Sequence, residues 1–199
     1  DHESEYTDLT STAQIALFQD GFVKPWFQDG RESSGWFRFL TENHFLFDSI
    51  DCNYAASIPL DRYKLLILPD IGKISDELAD RLDRFAEAGG TVIAVSRGGV
   101  GNAPGEKPAL QCTGIRRVKA IREDMTPSYL KFDGKERFPR LPDTDLIYLY
   151  GKYVYAEYEP GVKRYMKLVP PHMFGPPERC YYTVVTDYPG YTINSYGKG

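Results

Sequence analysis

Long apolar runs are missing from this sequence, and so are blocks of like charge. No stretch approaches the roughly 18 apolar residues that a membrane-spanning helix needs, so the sequence predicts no membrane partner. Lysine and arginine number 24 against 28 acidic residues, a formal net charge of −4, and neither sign forms a long run. Because nucleic acids and anionic lipid surfaces select clustered positive charge, we expect neither as a partner.

Cysteine is also scarce. Cys52, Cys112 and Cys180 lie in three distant parts of the chain with no C-x-x-C pair, which argues against a zinc site, and their odd number argues against a disulfide framework. The glycines after Arg97 form neither a GxGxxG fingerprint nor a P-loop, because Pro104 stands where the last glycine would fall. The sequence therefore predicts no metal and no cofactor.

The composition is that of one globular domain, but its aromatic residues are unevenly placed. The chain has 199 residues, of which 42% are hydrophobic, enough for a core without a covalent or metal staple. Of the 15 tyrosines, 11 lie in the range 148–196, whereas 8 of the 11 phenylalanines precede residue 100. This split predicts two halves of different construction.

The first half alternates strand and helix patterns. Residues 13–18 read as a buried strand, 19–34 as a loop, 35–44 as a helix with His44 at its end, and 46–50 as a second strand. The clearest unit begins at Leu65-Leu66-Ile67-Leu68, four apolar residues typical of a strand covered on both faces.

A helix follows this strand, with Ser75 as its N-cap and Gly89-Gly90 at its C-terminus. The β-branched run Thr91 to Val95 then predicts another strand, which completes a right-handed βαβ unit. A glycine-rich loop covers 97–108. From residue 115 the pattern changes to short strands with repeated tyrosine, at 129–132, 146–150, 153–158 and 164–169. We expect a doubly wound α/β layer with a β-rich C-terminal extension.

Ser96 is the sharpest candidate for chemistry. In an open parallel sheet, ligands and catalytic groups lie beyond the carboxyl ends of the strands, and Ala94-Val95-Ser96-Arg97-Gly98 has the spacing of a nucleophile elbow. A serine hydroxyl needs a base, and His172 is the candidate that the sequence offers. No helix signal follows Ser96 directly, so a serine that simply begins a glycine-rich loop is the preferred interpretation.

Both tryptophans fall in or beside the loop after the first strand. An exposed Trp26 or Trp36 would suit stacking on a sugar ring or burial at a subunit contact, and the alternative is that the two side chains simply cover the edge of the sheet.

The run Asp61 to Val95, DRYKLLILPDIGKISDELADRLDRFAEAGGTVIAV, resembles the amidotransferase-like middle domain, or trimerisation domain, of beta-galactosidases of glycoside hydrolase family 42 and related glycosidases. The segments Pro170 to Glu178, Tyr188-Pro189-Gly190 and Asn194 to Gly199 resemble the part that closes such domains.

The resemblance implies a class I glutamine amidotransferase-like, flavodoxin-like three-layer sandwich that has lost its chemistry. Ser96 stands near the place of that superfamily's nucleophilic cysteine, and the chain has no His-x-Glu pair to complete a triad, so no catalytic residue is carried over. In the family, hydrolysis belongs to a preceding TIM barrel, and this domain packs against barrels and neighbouring subunits. The implied partners are therefore an upstream TIM-barrel domain and further copies of the chain.

The resemblance also fixes the expected domain organisation and function. Residues 1–11 are expected to be an acidic linker from an upstream domain, and residues 12–199 the amidotransferase-like domain, cut short at its C-terminus. The leading hypothesis is a non-catalytic domain of a multidomain glycosidase that serves assembly, with Trp26, Trp36 and Arg97 shaping a carbohydrate site. The alternatives are an esterase- or peptidase-like hydrolase that uses Ser96 and His172, and a carbohydrate-binding module. The sequence leaves the compartment, bacterial cytoplasm or periplasm, open.

Overall fold

The structure is a computed structural model that describes residues 7, 9–19, 31–100, 104–105, 108–133, 138–141, 143–149, 151–172 and 182–199, with side chains in the first helix from residue 34 onward. Most of the predicted linker 1–11 lies outside these residues. Within the part described, no helix combines the length and the apolar character required to cross a bilayer.

Four parallel strands form the centre of the first half. They are β1 (Ile15–Gln19), β2 (Phe47–Asp51), β3 (Leu65–Leu68) and β4 (Thr91–Ala94), in the order β2-β1-β3-β4. In the register, Leu17 pairs with Ile67, and Ile67 pairs with Ile93. Burial on both faces explains why β3 is apolar at every position.

Helices α1 (Arg31–Glu42) and α2 (Asp76–Glu87) contact opposite faces of this sheet. Because side chains alternate along a strand, Leu17 and Ile67 meet Leu40 of α1, whereas Phe18 and Leu66 belong to the cluster that α2 joins.

The predicted capping of α2 is confirmed. The hydroxyl of Ser75 accepts a hydrogen bond from the backbone N–H of Leu78 at 3.2 Å. The predicted start of α1 at residue 35 is wrong, because the helix begins at Arg31, inside the segment expected to be a loop. The first turn of the helix is polar and Gly35 follows it, so the sequence shows no helical apolar pattern before Trp36. The helix ends at Glu42, two residues before the predicted end, and His44 lies in the turn that follows with a φ of 59°.

After residue 115, all elements in the described part are strands. They are β5 (Ile115–Arg122), β6 (Ser128–Lys131), β7 (Leu146–Leu149), β8 (Tyr153–Tyr158), β9 (Lys163–Val169) and β10 (Pro189–Ile193). Strands β5 and β8 form an antiparallel ribbon, and the other four form an antiparallel sheet in the order β10-β9-β6-β7. The prediction of a mixed α/β fold with a β-rich second half is confirmed.

The tyrosines of the second half connect its two sheets. The ring centroid of Tyr155 lies 4.9 Å from those of Tyr153 and Tyr188, both edge-to-face. The hydroxyl of Tyr153 is buried and donates to the carbonyl of Pro189 at 2.7 Å. Tyrosine therefore provides apolar packing and a polar partner where the ribbon meets the larger sheet.

The C-terminal segment returns to the first half and closes the end of α2. The N–H of Lys198 donates to the carbonyl of Glu87 at 3.0 Å. Gly197 has a φ of 60°, and a Cβ on it would lie 2.6 Å from that same carbonyl oxygen. The side chain of Asn194 donates to the carbonyl of Cys112 at 3.0 Å. The tail therefore donates a hydrogen bond to the carbonyl of Glu87 at the end of α2. It needs glycine at position 197, where it comes closest to the helix.

Candidate functional site

The carboxyl edge of the parallel sheet carries Asp70 after β3 and Ser96 and Arg97 after β4. The segment 20–30 that follows β1, with Trp26, lies outside the described residues. In open α/β sheets this edge is the usual place for a ligand, so these positions decide what the chain can do chemically.

Asp70 and Arg97 form a partly buried, two-pronged ion pair at this edge. The Nε of Arg97 lies 2.9 Å from Oδ1 of Asp70, and an Nη of the same guanidinium lies 3.1 Å from Oδ2. The backbone N–H of Arg97 also donates to Oδ1 at 3.1 Å. Planar pairing of this kind fixes both side chains, so the predicted sugar-binding residue Arg97 is bound to a protein carboxylate.

Two residues of the β5–β8 ribbon complete the cluster. Lys152, just before β8, places its Nζ 2.7 Å from Oδ2 of Asp70. Glu123, just after β5, lies 3.6 Å from Arg97 and 3.8 Å from Lys152. We call these four residues the edge cluster. It balances two cations with two carboxylates, and it joins the ribbon to the parallel sheet.

The edge cluster holds Asp70 in its charged form. Burial on its own would raise the pKa of this carboxyl group, but the hydrogen bonds and positive charges of Arg97 and Lys152 outweigh burial, and the pKa lies below its usual range. A carboxylate that accepts this many bonds is a poor general base. The arrangement indicates a structural contact between the two halves of the chain.

Ser96 keeps the backbone of an elbow without its chemistry. Its φ is 53°, in the left-handed region that residues with a Cβ rarely adopt. Its hydroxyl oxygen is buried and makes no hydrogen bond within the described part of the chain, so it is not bonded to His172. The ring of His172 lies instead against Tyr129 of β6, with centroids 6.0 Å apart. Among the described residues, none acts as a base for Ser96, and its buried oxygen leaves no space for a substrate.

Trp36 lies half-buried on α1 and packs beside Leu17 and Leu40. Its ring meets that of Phe39 edge-to-face at 6.0 Å. Together with Gly35 and Val95, these two rings line an open apolar groove of about 350 Å³. The structure therefore separates the predicted sugar-binding residues, since Trp36 faces the groove and Arg97 lies in the edge cluster.

A feature that the sequence reading missed is an exposed aromatic surface on and beside α1. Phe37, Phe39 and Phe45 are each about half exposed, and Leu46 next to them is more exposed still. The signal was the run Trp36-Phe37-Arg38-Phe39-Leu40. Successive residues of a helix point about 100° apart, so four large apolar side chains in five positions cannot all face the sheet.

Potential metal ligands do not cluster in the described residues, where no group of three or more His, Cys, Asp or Glu could hold an ion. Cys112 is a free thiol, and Cys180 lies outside the described part. Burial, together with the carboxylate of Asp83, raises the pKa of the Cys112 thiol, which makes it unreactive.

Comparison with known proteins gives a family match for the first half of the chain. Residues 20–114 match the family described as the beta-galactosidase trimerisation domain. No curated protein matches the chain.

Solved structures with the same fold include beta-galactosidases and a ThuA-like protein. A beta-galactosidase from Bacillus circulans sp. alkalophilus is 17% identical with a TM-score of 0.68, and covers 97% of this chain. A beta-galactosidase from Rahnella sp. R3 is also 17% identical, with a TM-score of 0.61 over 95% of the chain. A ThuA-like protein from Bacteroides uniformis is 12% identical, with a TM-score of 0.65 over 96%.

The chain spans 28% of the length of each of these two galactosidases and 82% of the ThuA-like protein. At these identities the structures show a shared fold, and the family match supplies the assignment. Residues 20–114 match the beta-galactosidase trimerisation domain family, in agreement with the resemblance noted for residues 61–95.

Proposed function

We propose that this chain is the assembly domain of a multidomain glycosidase of the beta-galactosidase type. In this proposal it holds three copies of the protein together, and residues 1–11 lead into it from a TIM barrel that carries out hydrolysis. Two observations support the proposal, namely the trimerisation-domain match of residues 20–114 and the shared fold of galactosidases more than three times as long as the chain.

The proposal includes a class I glutamine amidotransferase-like fold with flavodoxin-like layers. The strand order β2-β1-β3-β4 and the two helices on opposite faces of the sheet support these layers. The similarity to a ThuA-like protein supports the same relationship.

The proposal of a non-catalytic role rests on the contacts that the polar residues make at the carboxyl edge of the parallel sheet. Ser96 retains a left-handed backbone, but its oxygen is buried and lacks a base, and the edge cluster binds Asp70 and Arg97 to the ribbon. Every candidate group described at this edge is therefore sequestered. A domain in this condition can support an enzyme through its surfaces but not through its side-chain chemistry.

Hydrolysis assays on the full 199-residue chain test this role. We expect no turnover of an aryl galactoside or an aryl ester, and we expect Ser96→Ala to change nothing. Turnover that copurifies with the chain and disappears in Ser96→Ala would contradict the proposal and favour the esterase-like alternative.

The role of Trp26, Trp36 and Arg97 in shaping a carbohydrate site stays a prediction. The apolar groove beside Trp36 supports it, because the flat face of a pyranose packs well on an aromatic ring. Calorimetric titration with galactose and lactose tests it, with Trp36→Ala as the comparison. Heat that Trp36→Ala abolishes would support the prediction, and the absence of heat in the unmodified chain would contradict it.

A further inference from the structure

We infer that copies of this chain assemble through the exposed surface formed by Phe37, Phe39, Phe45 and Leu46, which we call the α1 patch. The inference rests on the proposed assembly function and deepens it, because the family match says nothing about which surface makes the contact. The partner is a second copy of the same chain.

The α1 patch joins the outer side of α1 to the turn that leads into β2. The rings of Phe39 and Phe45 stack with centroids 6.4 Å apart, and Phe37 meets Phe47 edge-to-face at 5.3 Å. Phe37, Phe39 and Phe45 are 49%, 51% and 50% exposed, and Leu46 is 70% exposed. Ring contacts hold these side chains in place, so little side-chain freedom is lost when a partner covers them.

The apolar area of the patch fits one side of a stable interface. An aromatic side chain offers about 200 Å², so three half-exposed rings leave about 300 Å² in water, and Leu46 adds to this. One side of a standard interface covers about 800 Å², of which somewhat more than half, about 450 Å², is apolar. The α1 patch therefore supplies most of the apolar area that one copy must contribute.

Charge also favours a like partner at this surface. Copies with a net charge of −4 repel one another, so they approach at lowest electrostatic cost where their surfaces are neutral. The guanidinium of Arg38, next to the patch, lies 2.6 Å from a carboxylate oxygen of Glu42, so these two charges compensate each other.

The apolar groove beside the patch offers the second element that a ring of copies needs. A closed ring of three is built from two different surfaces of each chain, one on each side of the contact. The groove is open and includes Trp36 and Val95, and Phe39 borders both the groove and the patch. In this arrangement, the exposed rings of the α1 patch in one copy bind the apolar groove of the next copy.

The test compares Phe39→Glu and Phe45→Glu with Tyr54→Glu in the full 199-residue chain. Tyr54 is an aromatic residue outside the patch and is 70% exposed, so it is a matched control for an added surface charge. The mass of each variant is measured by native mass spectrometry at equal concentration, and far-UV circular dichroism checks folding. We expect the mass to fall from three chains to one in both patch variants and to stay at three in Tyr54→Glu.

The outcomes separate this inference from the proposed function. If a folded Phe39→Glu or Phe45→Glu variant remains trimeric, the inference fails and the assembly function stands. If Tyr54→Glu also dissociates the trimer, the inference fails because the effect is not specific to the patch. If the unmodified chain is a monomer, the assembly function itself fails. Phe45→Glu keeps the test valid if Phe39→Glu does not fold.

Discussion

At the scale of single residues, Ser96 has a strained backbone, and no contact in the described part of the chain compensates for that strain. Its φ of 53° costs a residue with a Cβ about 1 kcal/mol, and its buried hydroxyl lacks a hydrogen-bond partner there. Strain of this kind is common where a fold holds a nucleophile, and here the backbone has that shape although no described residue bonds to the hydroxyl.

We expect Ser96→Gly to stabilise the chain by about 1 kcal/mol, because glycine adopts the left-handed region freely and removes the buried hydroxyl. Urea unfolding measures the change. Ser96→Ala is the control, since it removes the hydroxyl but keeps the backbone strain, and it is expected to gain less. A loss of stability in Ser96→Gly would show that the hydroxyl makes a contact that this account omits.

Asp70 is the residue whose charge links the two halves of the chain. Replacing Asp70 with asparagine keeps its size but leaves Arg97 and Lys152 without their anion, so we expect a loss of about 3 kcal/mol near neutral pH. Glu42→Gln removes an exposed ion pair and is expected to cost far less than Asp70→Asn, because solvent screens the two charges. Denaturant unfolding of both variants makes the comparison.

The pH dependence of this loss follows from the lowered pKa of Asp70. A carboxyl group with a lower pKa in the folded state contributes its full stability above its unfolded pKa, about 4, and loses it as the pH falls through the folded value. The difference between the unmodified chain and Asp70→Asn should therefore shrink below about pH 4. A difference that stays constant from neutral pH to pH 3 would contradict the role of the charge.

At the scale of elements, local signals explain which parts of the fold could be predicted. The β3–α2–β4 unit follows from four apolar residues, the Ser75 cap and a β-branched run, all of which act within a few residues. Strand β5 was harder to assign, because its sequence is rich in arginine and lysine and becomes a strand by pairing with β8. The contact between Asp70 and Lys152 could not be predicted, since it depends on how distant segments fold together.

The docking of the C-terminal tail on α2 gives a prediction at this scale. We expect Gly197→Ala to destabilise the chain by about 2 kcal/mol. The alanine would have to adopt a positive φ, and its Cβ would lie 2.6 Å from the carbonyl oxygen of Glu87. Gly161→Ala is the control, since its Cβ would meet nothing within 4 Å. Thermal unfolding checks both variants, and equal stability of the two would show that the tail does not hold the helix end.

At the scale of the whole molecule, the chain spans 28% of the length of the Bacillus circulans and Rahnella galactosidases that share its fold. The candidate groups described at its carboxyl edge are held in protein contacts, while four exposed apolar side chains lie together on and beside α1. We therefore propose that the reaction belongs to another part of the protein and that this chain brings copies together.

The mass of the unmodified chain in solution tests this central claim most directly. We expect sedimentation velocity at micromolar concentration and above to show a particle of three chains, each of 22.6 kDa. Such a particle should dissociate on dilution without loss of fold. A single sedimenting species with the mass of one chain across the whole concentration range would contradict the account.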